Sequence, residues 1–297
     1  MTRLTANLLM VLSAVIWGMS FVVQKVASDH ISPNAFIAAR LFLGALVVLP
    51  VAVSHWRARQ VAVDLTDWAM MVVTGLIMCG ATIAQQFGVQ ETTVANTGFL
   101  TGLYVPLVPL IELFVLRKKP HPIIWPAAAL SVLGTILMSG GGSLSFGWGD
   151  GLVVLSSVFW AAHIIMVGHC SNRTGLPTVL AVVQYLVCAG ICSLWAVAFE
   201  PSIAAGLRAA WKEIAFMGIL EVGLAYTLQT IVQRHTGAAD TAVLLSSEVL
   251  FTMLSGMIFL GERMSITQMV GGAAILSAML AVHLGPFLTP KPASTSL

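Results

Sequence analysis

The segment Phe36–Val53, FIAARLFLGALVVLPVAV, runs eighteen residues with one charged side chain, Arg40. That length and polarity suit an α-helix crossing a hydrocarbon layer, which takes about 20 mainly apolar residues. Nine more such stretches lie along the chain: Asn7–Val26, Trp68–Val89, Val94–Leu116, Ile123–Met138, Gly151–Val167, Thr178–Phe199, Trp211–Val232, Thr241–Leu260 and Ile266–Leu284. Only 9% of the residues are charged, against about 25% in an ordinary soluble domain. With 58% hydrophobic residues and a mean hydropathy of +0.94, the chain reads as an all-α integral membrane protein of ten transmembrane helices. Its 26 glycines and 12 prolines fall within apolar runs, where neighbouring helices satisfy the freed backbone groups.

What is missing narrows the function. A formal charge of +2 with no basic block gives no footprint for nucleic acid. The first helix lacks the flanks of a cleavable signal, and the short connections leave no room for an extramembrane domain. No phosphate loop of the type GxxxxGK[ST] is present, and no HExxH or paired aspartates, so neither direct ATP drive nor an intramembrane hydrolase has its residues. Cys79, Cys170, Cys188 and Cys192 fall in or beside apolar helices; Cys188 and Cys192 share a face, but no His or carboxylate set surrounds them, so they read as packing residues. No metal or cofactor is expected. The expected partners are a small-molecule substrate and the bilayer, with the protein a monomer or weak homodimer.

Lys and Arg set the orientation. With the N-terminus inside, Arg3, Arg57, Arg59, Arg117, Lys118, Lys119, Arg173, Arg234 and Lys291 are cytoplasmic, against Lys25, Arg208, Lys212 and Arg263 outside. Both termini are therefore expected on the cytoplasmic side of the cell membrane, with most of the bias coming from the first half.

The chain also repeats itself. Val11, Leu12, Ser13, Val15 and Trp17 recur 143 positions later as Val154, Leu155, Ser156, Val158 and Trp160, and Gly75, Gln86 and Gln90 recur as Gly218, Gln229 and Gln233. Ala95–Thr97 returns as Ala239–Thr241 at an offset of 144. This divides the chain into a first five-helix repeat, 1–143, a second, 144–288, and a cytoplasmic tail, 289–297, with SGGGSLSFGWGD as the turn between halves. Five is odd, so the second repeat enters the membrane from the opposite side. Two inverted repeats around a midplane axis are the plan of an alternating-access transporter.

Two stretches resemble a known family. WGMSFVVQKVASDHISPNAFIAARLFLGAL (Trp17–Leu46) and SSEVLFTMLSGMIFLGERMSITQMVGGAAILSAM (Ser246–Met279) are similar to the ends of the two repeats in EamA-type members of the drug/metabolite transporter superfamily. The most specific pieces are Trp17–Gly18, Arg40 after Pro33, and Leu260–Gly261–Glu262–Arg263. The resemblance covers almost the whole chain and implies the ten-helix inverted fold and the export of amino acids or other metabolites. The family often places Pro after the ninth-helix Glu; here Val249 follows Glu248, so bending is expected to differ there.

Polar residues on apolar helices avoid lipid. Ser13, Trp17, Ser20 and Gln24 share a face of the first helix, and Ser156, Trp160, His163 and Val167 repeat it in the sixth. Gly75, Cys79, Thr82, Gln86 and Gln90 mark the third, answered by Val222, Tyr226, Gln229 and Gln233 in the eighth. The fourth offers Thr97, Thr101 and Tyr104, and the ninth Thr241, Glu248, Thr252 and Ser255. Three symmetric pairs surround a cavity, with the second, fifth, seventh and tenth helices behind. Trp17, Gln24, Gln86, Tyr104, Trp160, His163, Tyr226, Gln229 and Glu248 are the expected substrate contacts, although the glutamines could equally bridge helices and His163 could be a satisfied neutral core residue.

Charge at the bilayer centre costs at least about 2.5 kcal/mol unless paired or hydrated. Arg40, on a peripheral helix, is expected to hold a structural pairing rather than a carboxylate substrate. Glu248 could bind an amine, carry a proton or bridge helices, and Glu221 is a weaker candidate for proton coupling. Pro106 and Pro109 should kink the fourth helix, whereas the ninth has no proline, so asymmetric bending is expected. The reading is an exporter of small metabolites such as amino acids. The alternative is an exchanger of anionic metabolites such as sugar phosphates or nucleotide sugars, for which Arg40 is the one cation available; an intramembrane enzyme ranks below both.

Overall fold

The computed structural model describes residues 1–59, 62–138, 147–200, 202–260 and 265–288, and among them the regular structure is entirely helical. The turn at 139–146, Gly261–Glu262–Arg263, and the tail 289–297 with Lys291 lie outside the described residues. Long rods form α1 (Arg3–Ala27), α2 (Pro33–Arg57) and α3 (Leu65–Glu91). The pair α4 (Val94–Thr101) and α5 (Tyr104–Phe114) follows, then α6 (Ile124–Met138), α7 (Trp148–Thr174) and α8 (Pro177–Phe199). After a short α9 (Ile203–Ala209), α10 (Trp211–Phe216) runs into a π-helical segment, Met217–Tyr226, and on into α11 (Thr227–Val232). The chain closes with α12 (Ala238–Leu245), α13 (Glu248–Leu260) and α14 (Ile266–Leu288).

The helix starts are written locally. Asp64 accepts from the Asp67 amide at 2.7 Å while the Asp67 carboxylate accepts from the Asp64 amide at 3.1 Å, a reciprocal cap on α3. Pro33 and Pro177 open α2 and α8, where a missing N–H costs nothing. Gly175, at φ 68°, ends α7 in the left-handed conformation that an L side chain adopts only under strain.

Among the described residues, eight helical stretches are long and apolar enough to cross a bilayer, and Ile124–Leu137 and Ile266–Val282 are shorter apolar helices. Large apolar side chains such as Phe42, Leu46, Leu133, Leu194 and Leu280 face outward from these helices. The polar side chains Ser13, Gln24, Arg40, Gln86, Gln184, Glu221 and Glu248 are buried inside instead. That inversion suits hydrocarbon, where unpaired polar groups are expensive, and the chain is a multi-pass membrane protein.

Packing pairs the two halves. α1 lies along α12 and α13, and α7 along α4 and α5; α2 packs on the π-helical segment and α3 on α8; α2 meets α8, and α6 meets α14. Each pairing maps onto another, or onto itself, when every element is replaced by its counterpart in the other half. The matched glycines serve equivalent contacts: a Cβ on Gly75 would meet Gln184 Cα at 2.9 Å, and one on Gly218 would meet Leu43 Cδ2 at 2.7 Å.

Three expected helices are interrupted. The fourth breaks at Gly102–Leu103, because Pro106 has no N–H to offer the Gly102 carbonyl, which accepts from Val105 N at 3.1 Å. The ninth also breaks, at Ser246–Ser247, which corrects the expected asymmetry. There the Ser246 and Ser247 hydroxyls donate to the Val243 and Leu244 carbonyls at 2.7 and 2.9 Å and compete with the helical ladder. The two breaks lie 144 positions apart, so one half reaches with proline what the other reaches with serines. The eighth keeps its length but passes through wide π turns, so its inward face rotates relative to an ideal α-helix.

Candidate functional site

The breaks deliver the site. Tyr104 is the first residue of α5 and Glu248 the first of α13, and both line a buried cavity at the centre of the bundle. Trp17, Ser20, Phe21 and Gln24 of α1, Gln85 of α3, Thr101 of α4, Trp160 of α7, Glu221 and Tyr226 of the π-helical segment and Gln229 of α11 complete its polar and aromatic lining. Its volume is about 30 Å³, room for roughly two waters.

An aromatic cluster stands in the cavity wall. Tyr226 sits between the repeated tryptophans, 4.8 Å from Trp17 at 48° and 5.7 Å from Trp160 at 18°. Six polar atoms around the cavity are buried and make no well-formed hydrogen bond among the described residues: the indole Nε1 of Trp17 and of Trp160, the Tyr104 hydroxyl, and Oε1 of Gln24, Gln229 and Glu248, with Tyr104 and Glu248 standing side by side. A buried polar atom left unpaired costs about 1–3 kcal/mol, so this set calls for water or a ligand carrying both donors and acceptors.

Of the nine expected contacts, Trp17, Gln24, Tyr104, Trp160, Tyr226, Gln229 and Glu248 line the cavity; Gln86 and His163 do not. The Gln86 side-chain nitrogen turns to the Ser28 hydroxyl at 3.3 Å and the Gln24 carbonyl at 3.5 Å, bridging α3 to α1. His163 Nε2 pairs with Gln184 Oε1 at 2.9 Å, and its ring meets Trp160 edge-on at 5.5 Å, so it braces the tryptophan from behind. Gln233 donates to the Ile164 carbonyl at 2.8 Å and is likewise a bridge. Sequence reasoning missed Gln85, which takes the place expected of its neighbour and donates to Thr101 Oγ1 at 3.1 Å. Gln184, on α8 behind the cavity, reaches it only through His163.

The charges sort themselves. Arg40 Nη1 donates to both carboxylate oxygens of Glu221, at 3.1 and 3.3 Å, and the guanidinium stands 5.2 Å from the Phe36 ring centre. Glu221 therefore lines the cavity with its charge already compensated, whereas Glu248 has no cationic partner among the described residues. At one end of the bundle Arg173 donates to Asp67 at 2.7 Å. At the other, Lys25 Nζ donates to the carbonyls of Val89, Gln90 and Thr92 at 2.8–3.0 Å, capping the end of α3, and Glu200 accepts from the Asn34 and Ala35 amides at the start of α2. The cysteines, expected as packing residues, are buried, and Cys79 joins Cys188 and Cys192 in one group.

Known proteins share this plan. The sequence model of the EamA-like transporter family matches residues 4–140 and again 147–284. An uncharacterized transporter of Archaeoglobus fulgidus is 31% identical over 286 residues, covering 95% of this chain and 87% of the relative. The uncharacterized transporter YwfM of Bacillus subtilis is 26% identical over 292 residues, 94% of each chain, and a WAT1-related protein of Arabidopsis thaliana is 22% identical over 87% of this chain and 81% of its own. A crystal structure at 18% identity superposes with a TM-score of 0.78 over 98% of this chain and 100% of that one, a likeness of fold. Matched in both halves by the family's sequence model, and nearly end to end by these relatives, the chain belongs to the EamA-like transporter family.

Proposed function

We propose that the protein is a secondary transporter that exports small zwitterionic or amphipathic metabolites such as amino acids across the cell membrane, with both termini cytoplasmic. In this reading residues 1–143 and 144–288 are five-helix repeats of opposite orientation. They rock about the axis marked by Trp17, Trp160 and Tyr226, opening one cavity to each side in turn. The observation that carries the reading is the set of six buried polar atoms without a well-formed hydrogen bond among the described residues. The Glu248 carboxylate, with the Tyr104 hydroxyl beside it, suits an ammonium group, the two indole N–H groups suit a carboxylate, and the Tyr226 ring between the tryptophans suits an apolar side chain. A cavity of about 30 Å³ is too small for such a solute, so the halves must part to admit one.

Anionic sugar phosphates fit less well. They call for several cations, and among the described residues the one guanidinium beside the lining, Arg40, is engaged by Glu221.

The test is counterflow in liposomes holding the purified protein, with labelled amino acids, amines and sugar phosphates as competing solutes. Saturable amino-acid flux, reduced by excess unlabelled amino acid and insensitive to sugar phosphates, is the expected result. Flux of sugar phosphates with none of amino acids would overturn the substrate class. Repeating the assay under an imposed pH gradient separates exchange, which ignores it, from proton-coupled export, which follows it.

A further inference from the structure

Away from the cavity, three thiols from two helices meet. Cys188 and Cys192 are four residues apart on α8 and share a face, and Cys79 reaches them from α3, so that the three sulfurs all lie within 4.8 Å of one another. All three are buried, and none is in a disulfide. The meeting depends on the close approach of α3 and α8 at Gly75, one turn before Cys79, where a Cβ would collide with the Gln184 backbone.

We propose that Cys79, Cys188 and Cys192 form a three-coordinate site for a soft monovalent cation, with Cu(I) as the ion they fit. Thiolate sulfur is the ligand type that selects such an ion. Sulfurs held at about 2.3 Å from a central ion in a trigonal ring stand about 4.0 Å apart, so the present spacing closes with a shift of under about 1 Å. A disulfide would draw one pair to about 2.05 Å and strand the third sulfur. Among the described residues no fourth His, Cys, Asp or Glu completes the group, which counts against Zn(II), whose structural sites take four ligands.

Each thiol that binds the ion releases its proton to solvent, leaving three thiolates around one positive charge. The buried Arg40 guanidinium, already paired with Glu221, lies within electrostatic reach of Cys192, and its Nε has no hydrogen-bond partner among the described residues. Because α3 and α8 belong to different halves of the chain, a bound ion ties the halves together along a packed edge.

The test uses full-length protein, purified reduced and anaerobically, and titrated with Cu(I) delivered from a coloured chelator of known affinity. Wild type and Cys170→Ser should each take one equivalent, and capture should weaken at least tenfold in Cys79→Ser and in Cys192→Ser. Capture that survives Cys79→Ser unchanged, or wild type taking no more than a variant lacking all three thiols, would overturn the site. A readout on the wild type alone does not depend on variants folding. Cu(I) should protect Cys79, Cys188 and Cys192 together from alkylation in partly denaturing detergent and leave Cys170 as reactive as before; protection of none, or of Cys170 equally, counts against the proposal.

Discussion

Neutralising one side of the buried Arg40–Glu221 pair should be far worse than neutralising both. Arg40 and Glu221 are each 2% exposed, so neither charge reaches bulk solvent once its partner is gone. Breaking such a pair costs about 3–5 kcal/mol because the survivor stays uncompensated. The two halves of the pair are not equivalent, since a carboxylate can shed its charge by taking up a proton and a guanidinium cannot. Glu221→Gln, which strands Arg40, should therefore cost the full 3–5 kcal/mol, whereas Arg40→Gln should cost about 1–3 kcal/mol, the penalty for an unpaired buried polar group. The double variant keeps two amides that can bond each other and should lie within about 1 kcal/mol of wild type.

Thermal unfolding in detergent of the four proteins reads this out as a double-mutant cycle. Glu221→Gln should lower the midpoint by on the order of 5 °C or more, and the double variant should recover most of the loss. Equal single effects that simply add in the double would refute the reasoning. Transport supplies a second readout: a structural pair predicts a double variant with flux within about threefold of wild type, while a carboxylate-binding Arg40 or a proton-carrying Glu221 predicts a well-folded but inactive one.

Glu248→Gln removes the one cavity carboxylate that has no cationic partner among the described residues; flux of zwitterions in liposomes should fall at least tenfold while the thermal midpoint stays within a few degrees of wild type. Trp17→Phe and Trp160→Phe keep the ring and delete one indole N–H each, so each should raise the KM for amino-acid flux by about two- to tenfold, the worth of one hydrogen bond. Gly18→Leu should abolish flux and lower the midpoint, since even a Cβ there would stand 2.7 Å from Thr252 N and 2.8 Å from the Glu248 carbonyl. Asp67→Asn should lower the midpoint by about 2–6 °C, because Asp67, 10% exposed, both pairs with Arg173 and accepts from the Asp64 amide in the cap on α3, and losing such a cap costs about 0.5–2 kcal/mol.

The helical membrane architecture was legible because it rests on counting apolar residues, and hydrophobic length is a one-dimensional property. The helix breaks were half legible. Proline announces the one beside Tyr104, while the one beside Glu248 depends on Ser246 and Ser247 turning their hydroxyls onto their own backbone, which serines in membrane helices need not do. In the eighth helix the lining could be named only in part, because a π turn adds a residue per turn without changing composition. Tyr226 and Gln229 still reach the cavity, whereas Val222 packs where Gly44 gives it room. The choice between Gln85 and Gln86 turned on about 100° of helix rotation, finer than a stripe of polar residues resolves. Contacts across long separations, Arg40 with Glu221 or Cys79 with Cys188, leave no local signature at all.

The central claim is that one cavity on the pseudo-two-fold axis serves both sides of the membrane. It is tested most directly by placing a single cysteine at Ser20, on the cavity wall, in a transport-competent background without the native thiols. A membrane-impermeant thiol reagent is then added to right-side-out vesicles and to inside-out vesicles. The account predicts labelling from each face, slowed from both by a transported amino acid. Labelling from one face alone, unchanged by substrate, would contradict it.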